Sequence, residues 1–296
     1  MIWCSGWELA AAVSNAGGLG LIGSGSMYPK VLEEHIIKCK AATNKPFGVN
    51  VPLLYPDIDQ LMKIIVDQGV KIVFTSAGNP KTWTKHLQEN GITVVHVVSN
   101  VKFALKSESC GVDAIVAEGF EAGGHNGREE TTTLCLIPMV KKAVKIPVLA
   151  AGGIGTGSAM AAVFALGADG VQMGSRFVTS LESSAHAKFK SAVVHAKEGE
   201  TELSLKQLTP VRLLKNEFYN KVKLAELEGA SSEELKEILG RARAKKGMFE
   251  GDLMEGELEI GQISASIDSI LPAKSIIEEI IEEFNTTVLE QAKQIF

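Results

Sequence analysis

The sequence is poor in the features that mark several large classes of protein. Its 296 residues include only four cysteines (Cys4, Cys39, Cys110, Cys135), scattered and without a CxxC pair. That usage argues against a zinc site or a disulfide framework and predicts reduced, mostly buried thiols in a cytoplasmic protein. No run of about 18 apolar residues is present, so no membrane partner is expected. The first residues, MIWCSGWELAAAVSNAGG, lack the basic n-region of a secretory signal. Basic residues are not in excess: 30 Lys and Arg against 35 Asp and Glu leave a formal charge of −5 and a pI near 5.8. Such a balance argues against a nucleic acid partner. HExxH, Walker and nucleophile-elbow motifs and paired metal-ligand spacings are missing, so no metal is expected. What remains is a globular composition, 45% hydrophobic and 22% charged, able to bury a large core.

What is present is a rhythm. Short β-branched, apolar runs begin at Leu19 (LGLIG), Phe47 (FGVNVPL), Lys71 (KIVFTSAG), Ile92 (ITVVHVV), Asp113 (DAIVAEG), Ile146 (IPVLAAGG) and Gly170 (GVQMGSRF). Between them lie stretches with apolar residues at helical spacing, such as DIDQLMKIIVDQ and LCLIPMVKKAV. Strands alternating with helices predict a parallel sheet covered by helices. The short period, and the glycine or small polar residue that ends nearly every strand, favour a (β/α)₈ TIM barrel over an open doubly wound sheet. Seven strands are legible. The missing one is the first, with Met1 to Cys4 as its tail, so a shortened N-terminus is expected. The barrel is assigned to residues 1–180 and 260–296, closed by a last helix with Ile276, Ile277, Ile280 and Ile281 on one face. Residues 181–259, charged and alanine-rich, read as a helical insertion or lid.

Three glycine-bearing turns carry the candidate chemistry. The first is EAGGHNG, residues 121–127, after the strand DAIVAEG. It is either a tight turn with an incidental histidine or a loop built to present His125. The other two are AAGGIGTG, residues 150–157, and QMGSRF, residues 172–177. Turns after the last two strands of a barrel commonly bind phosphate through backbone N–H groups and a short helix N-terminus. Gly152 and Gly153 would admit the phosphate, with Gly174 and Ser175 as donors; two ordinary glycine turns are the alternative. GIGTG is not a dinucleotide fingerprint, because it comes late and its spacing is wrong. Of six histidines, only His125 sits on a glycine-rich loop at a strand's C-terminal end, whereas His96 reads as a hydrogen-bonded core or barrel-interior residue. A phosphate cradle with one histidine and no metal cluster suggests a phosphorylated cofactor that carries the chemistry.

AEGFEAGGHNG, IPVLAAGGIGTG and GADGVQMGSRF, preceded in order by NAGGLGLIG, KPFGVNVPL and TSAGNP, resemble the nitronate monooxygenase family. That family was formerly called 2-nitropropane dioxygenase and includes the similar FMN-dependent enoyl-acyl-carrier-protein reductase. The resemblance covers the whole chain. It implies a flavin-binding TIM barrel, with the FMN phosphate on Gly152, Gly153, Gly174 and Ser175. It also implies Asn50 as a hydrogen-bonding partner of the flavin ring, and Glu118, Gly123 and Gly124 beside the ring. Gln172 and Met173 would flank the phosphate, and His125 would be the active-site histidine. For Asn50 a turn cap is the alternative, and for Glu118 a buried, backbone-bonded carboxylate. The implied activity is oxidation of small-molecule nitronates with dioxygen to a carbonyl compound and nitrite. Reduction of an enoyl thioester by NAD(P)H is the alternative, with Arg212 and Lys215 as either carrier contacts or solvated charges. A homodimer is the family expectation.

Overall fold

The structure, a computed structural model, describes residues 1–293. Its strands are β1 Gly20–Gly23, β2 Phe47–Pro52, β3 Ile72–Ser76, β4 Thr93–Val98, β5 Ala114–Glu118, β6 Gly124–His125, β7 Val148–Ala151, β8 Gly170–Gln172, β9 Thr201–Ser204 and β10 Val211–Leu214. Seven of them form one sheet in the order β1-β2-β3-β4-β5-β7-β8, and every pairing in it is parallel. All seven runs legible in the sequence are these strands, and the helices that follow them cover one face. Among the described residues the result is a seven-stranded, TIM-type barrel wall.

The inner and outer faces separate by the period of two along each strand. Ile22, Val49, Val51, Val73, Val94, Val98, Ile115, Ala117, Val148 and Ala150 join the large core under the helices. Phe74, Val95, Val116 and Ala151, with Leu21, Ile72, Val97, Ala114 and Leu149 beside them, fill the barrel interior. His96 is buried, 2.7 Å from the Thr75 hydroxyl through Nδ1, and burial lowers its pKa to about 4. It is the core residue its apolar neighbours predicted.

Met1 to Ser5 form a turn rather than a strand, and they lie at the unpaired edge of β1. Gly23 N donates to Ser5 O at 3.0 Å, and Ser5 Oγ donates to Leu21 O at 2.6 Å. On the other side Cys4 O accepts from Ser184 N and Ser183 Oγ. Of the four free cysteines only Cys4 and Cys39 are buried, while Cys135 is exposed.

The last helix, Ala273–Gln291, closes the barrel against helix Gly157–Ala165. Its Ile276 and Ile280 are buried, but Ile281 is 44% exposed, so the buried stripe is narrower than the four isoleucines suggest. Glu283 accepts from Gly157 N at 2.8 Å and Ser158 N at 3.2 Å, occupying that helix's N-terminus. A Cβ at Gly157 would meet the backbone of Ile280 and Phe284. This glycine of the GIGTG turn therefore serves close helix packing.

The segment after residue 180 is helical over Ala187–His195, Glu217–Leu227 and Ser232–Leu239. Ser231 and Glu234 form the capping box that SSEELKEIL announces. The segment also contains a β-hairpin, β9–β10, that the helical reading does not include. Its alternation is brief, four residues a side, and the connection LKQLTP between them gives no clear turn signal.

Candidate active site

The hairpin matters because of what it pairs with. β10 runs antiparallel to β6, with Val211 opposite His125 and Arg212 opposite Gly124. The loop after β5 is thus a sheet strand held from outside the barrel. Arg212 is 2% exposed. Its Nε and Nη2 donate to Phe120 O at 3.2 and 2.9 Å, and its guanidinium lies 4.4 Å from the centre of the Phe120 ring. Neither carrier contact nor solvated charge describes it: it is a buried clamp on the His125 loop. Glu121, in the same loop, accepts from Thr133 N at 2.9 Å and Thr133 Oγ1 at 3.0 Å.

The predicted residues fall into three groups. Asn50, Glu118 and Gln172 share the inner face, following the alternation of their strands, and Glu118 and Gln172 flank Ala151 in register. Gln172 Oε1 is buried without a hydrogen-bond partner, an orphan acceptor aimed into the barrel. Asn50 O accepts from Ser24 Oγ at 2.8 Å. The second group is the turns. Gly152 and Gly153 have φ of 93° and 68°, which L side chains rarely adopt. Gly174 and Ser175 start the short helix Ser175–Val178, whose first N–H groups have no partner within it. Ser175 Oγ accepts from Gly261 N at 2.9 Å, leaving its own proton to donate.

The third group departs from expectation in detail. Gly123 and Gly124 are not simply open space for a ring. A Cβ at Gly123 would strike the Ile260–Gly261 backbone, and one at Gly124 would lie 2.6 Å from Glu259 Oε2. Met173 packs with the core under the helices, so its side chain points away from the inner face. His125 is exposed, on the short strand at the end of this cluster.

Two acids were not singled out in the sequence. Glu257 and Glu259 lie in the alternating run GELEIG, which bridges to β10 at Leu213 and accepts from Leu214 N through Leu258 O. Burial raises the pKa of Glu257 to about 8. Burial likewise raises Glu259, against the opposing pull of His125. Their signal was the placement of two carboxylates in an otherwise apolar strand-like run.

Burial also raises the Glu118 pKa, from 4.5 to about 7, partly offset by the Met1 amino group. Unfolded chains release this proton near 4.5, folded ones near 7, so between those values the native state binds more protons. Stability should therefore decline as pH rises through that window. Glu118→Gln should flatten the decline in urea titrations; an unchanged slope would show that Glu118 is already ionised in the folded chain.

The sequence model of the nitronate monooxygenase family matches residues 1–62 and 57–283. The chain belongs to that family. It is 31% identical to a probable nitronate monooxygenase of Staphylococcus saprophyticus, over 94% of this chain and 91% of that protein. Among solved structures, FabK from Thermotoga maritima shares 43% identity over 100% of this chain and 94% of that one, with a TM-score of 0.95. A nitroalkane oxidase from Streptomyces ansochromogenes shares 28% identity over 98% and 95%, with a TM-score of 0.85. The protein is accordingly an oxidoreductase enzyme of a flavin-dependent family. Among the described residues no helix is long and apolar enough to cross a membrane, and no cluster of metal-ligating side chains occurs.

Proposed function

We propose that this family member binds FMN at the C-terminal edge of its barrel wall and oxidises alkyl nitronates there. The observation that carries the reading is the orphan Gln172 Oε1 on the same inner face as Asn50 and Glu118, next to the two glycine turns. Those residues fit the group: Gly174 and Ser175 offer N–H and hydroxyl donors, and Gly152 and Gly153, with φ of 93° and 68°, hold the neighbouring turn in a shape that L side chains rarely adopt. Gln172 and Asn50 offer amides to a ring that both donates and accepts. The alternatives of two ordinary glycine turns, or a mere turn cap at Asn50, leave Gln172 Oε1 unexplained. Bound FMN would supply the redox chemistry, moving electrons from nitronate to dioxygen. The chain's own part is to orient the substrate. His125 is exposed at the mouth, where its ring can donate to a nitronate oxygen or take a proton from a neutral nitroalkane. Its backbone is fixed by β10, so the ring is presented from a rigid strand.

One observation favours a second reading. The 43% identity to FabK exceeds the 28% to nitroalkane oxidase. On the same site NAD(P)H would be the electron donor and an enoyl thioester the acceptor, with His125 supplying a proton or polarising the carbonyl. The two readings separate in an anaerobic absorbance titration of FMN-loaded protein. Bleaching by propionate 3-nitronate and not by NADH or NADPH supports nitronate oxidation. Rapid bleaching by a nicotinamide, with reoxidation by an enoyl thioester, replaces it with the reductase.

A further inference from the structure

We propose that Thr133 is a positioning residue for the cofactor phosphate: held by Glu121, its hydroxyl fixes the Gly152 carbonyl and so aims the Gly153 N–H, as a donor, away from the His125 loop. The carbonyl and the N–H of one trans peptide unit point in opposite directions, so whatever holds Gly152 O also orients Gly153 N–H. Thr133 Oγ1 donates to Gly152 O at 2.8 Å, with Glu121 Oε2 at 3.0 Å as second acceptor of the same proton. The preceding unit is held likewise, Gly119 N donating to Ala151 O at 2.9 Å. A Cβ at Gly119 would lie only 2.1 Å from Thr133 Oγ1, so the two donors are neighbours and both carbonyls are drawn to the same side. The N–H groups of Gly152 and Gly153 are therefore turned the other way. Neither donates to another backbone group among the described residues.

Thr133 is itself held still. It is buried and opens the helix Thr133–Ala143, whose N-cap residue Thr132 makes no side-chain capping bond. Glu121 takes that role from the neighbouring loop. Its carboxylate accepts from Thr133 N at 2.9 and 3.1 Å, where unpaired N–H groups and the helix dipole favour an anion. The same residue reaches the second turn. Glu121 O accepts from Gln262 N at 2.9 Å, and the adjacent Gly261 N donates to Ser175 Oγ at 2.9 Å. Glu121 is thus the point at which both glycine turns meet the loop that carries His125. Attraction of the ligand is not its task, because its charge has the wrong sign. A Cβ at Gly153 would lie 3.3 Å from Glu121 Cβ, and a carboxylate beside that turn repels a phosphate. What remains for it is placement.

This inference rests on Gly152 and Gly153 holding the phosphate of FMN, and its test separates the two by comparing FMN with riboflavin, which lacks the phosphate. Quenching of flavin fluorescence measures the affinity of the full chain for each, in the parent, Thr133→Val, Thr133→Ser and Glu121→Ala. Valine keeps the shape of threonine without its hydroxyl. It should weaken FMN about tenfold, as for one misdirected hydrogen bond to an anion, and leave riboflavin within about twofold. Serine restores the hydroxyl and should recover most of the affinity for FMN. Glu121→Ala should weaken FMN in the same selective way, although it removes a negative charge. Parental FMN affinity in Thr133→Val, or equal losses for FMN and riboflavin, overturns the positioning role. Tighter FMN binding by Glu121→Ala also overturns it, because the acid would then act through its charge alone. A parent that binds both flavins equally removes the phosphate reading itself, and the proposal with it. Should Thr133→Val fail to fold, Glu121→Ala carries the comparison by the same criteria.

Discussion

His125→Ala should bind FMN as the parent does and lose about 10²- to 10⁴-fold in turnover, the usual range for removing a positioned acid–base group. The clean separation follows from how the residue is held. Its place in β6 depends on backbone pairing with Val211, which alanine preserves, and its ring is exposed, so its removal leaves no buried cavity. Flavin absorbance after gel filtration and the melting temperature should both match the parent, which makes the kinetic loss attributable to the ring. His125→Gln refines the result. Glutamine can still donate a hydrogen bond to a nitronate oxygen but cannot exchange a proton near neutrality. If orientation of an anionic substrate is the task, the glutamine variant should keep clearly more activity than alanine; if proton transfer is, the two should fall together. Parental turnover in His125→Ala with FMN bound would take the residue out of the mechanism.

Arg212→Met should lower both stability and turnover without touching a reacting group. The guanidinium makes two bonds to Phe120 O and stacks on the Phe120 ring in a site that excludes solvent. Hydrogen bonds to a charged group contribute about 1.5–3 kcal/mol each when a partner is removed. Methionine fills much of the volume but leaves the Phe120 carbonyl unsatisfied, so a melting temperature several degrees lower is expected. The kinetic effect follows from geometry, because Phe120 begins the loop that ends in His125. A shift of about 1 Å at a reacting group can cost on the order of 100-fold. Arg212→Lys keeps the charge but not the planar fork, so it should recover only part of the loss. A methionine variant with parental melting and turnover would reduce Arg212 to a passive buried residue.

Much of this protein is legible from local pattern. The seven strands, their parallel sense and the barrel topology follow from apolar runs alternating with amphipathic helices, because burial on both faces imposes that composition wherever the strand sits in the chain. The positions of the turns are legible for a related reason: Gly152 and Gly153 need φ values that other residues resist, and that demand is met within one or two residues. The inner-face placement of Asn50, Glu118 and Gln172 follows from strand parity. The β9–β10 hairpin was not legible, since four-residue strands joined without a clear turn signal show little periodicity. Arg212, in a charged segment, reads as a solvent-facing residue until its partner is known, and that partner's carbonyl lies 92 residues earlier.

The sequence by itself determined the wall of the barrel, the loops at its C-terminal edge, and the place of His125 on one of those loops. Periodicity and glycine chemistry act over a few residues, so they survive in the linear order. Only the tertiary structure decided what stands behind that histidine. The clamp of Arg212 on Phe120, the burial of Glu259 against Gly124, and the capping of helix Gly157–Ala165 by Glu283, 126 residues away, are long-range pairings. They depend on which segments fold against one another, and a buried carboxylate or guanidinium looks the same in sequence as a solvated one until that packing is known.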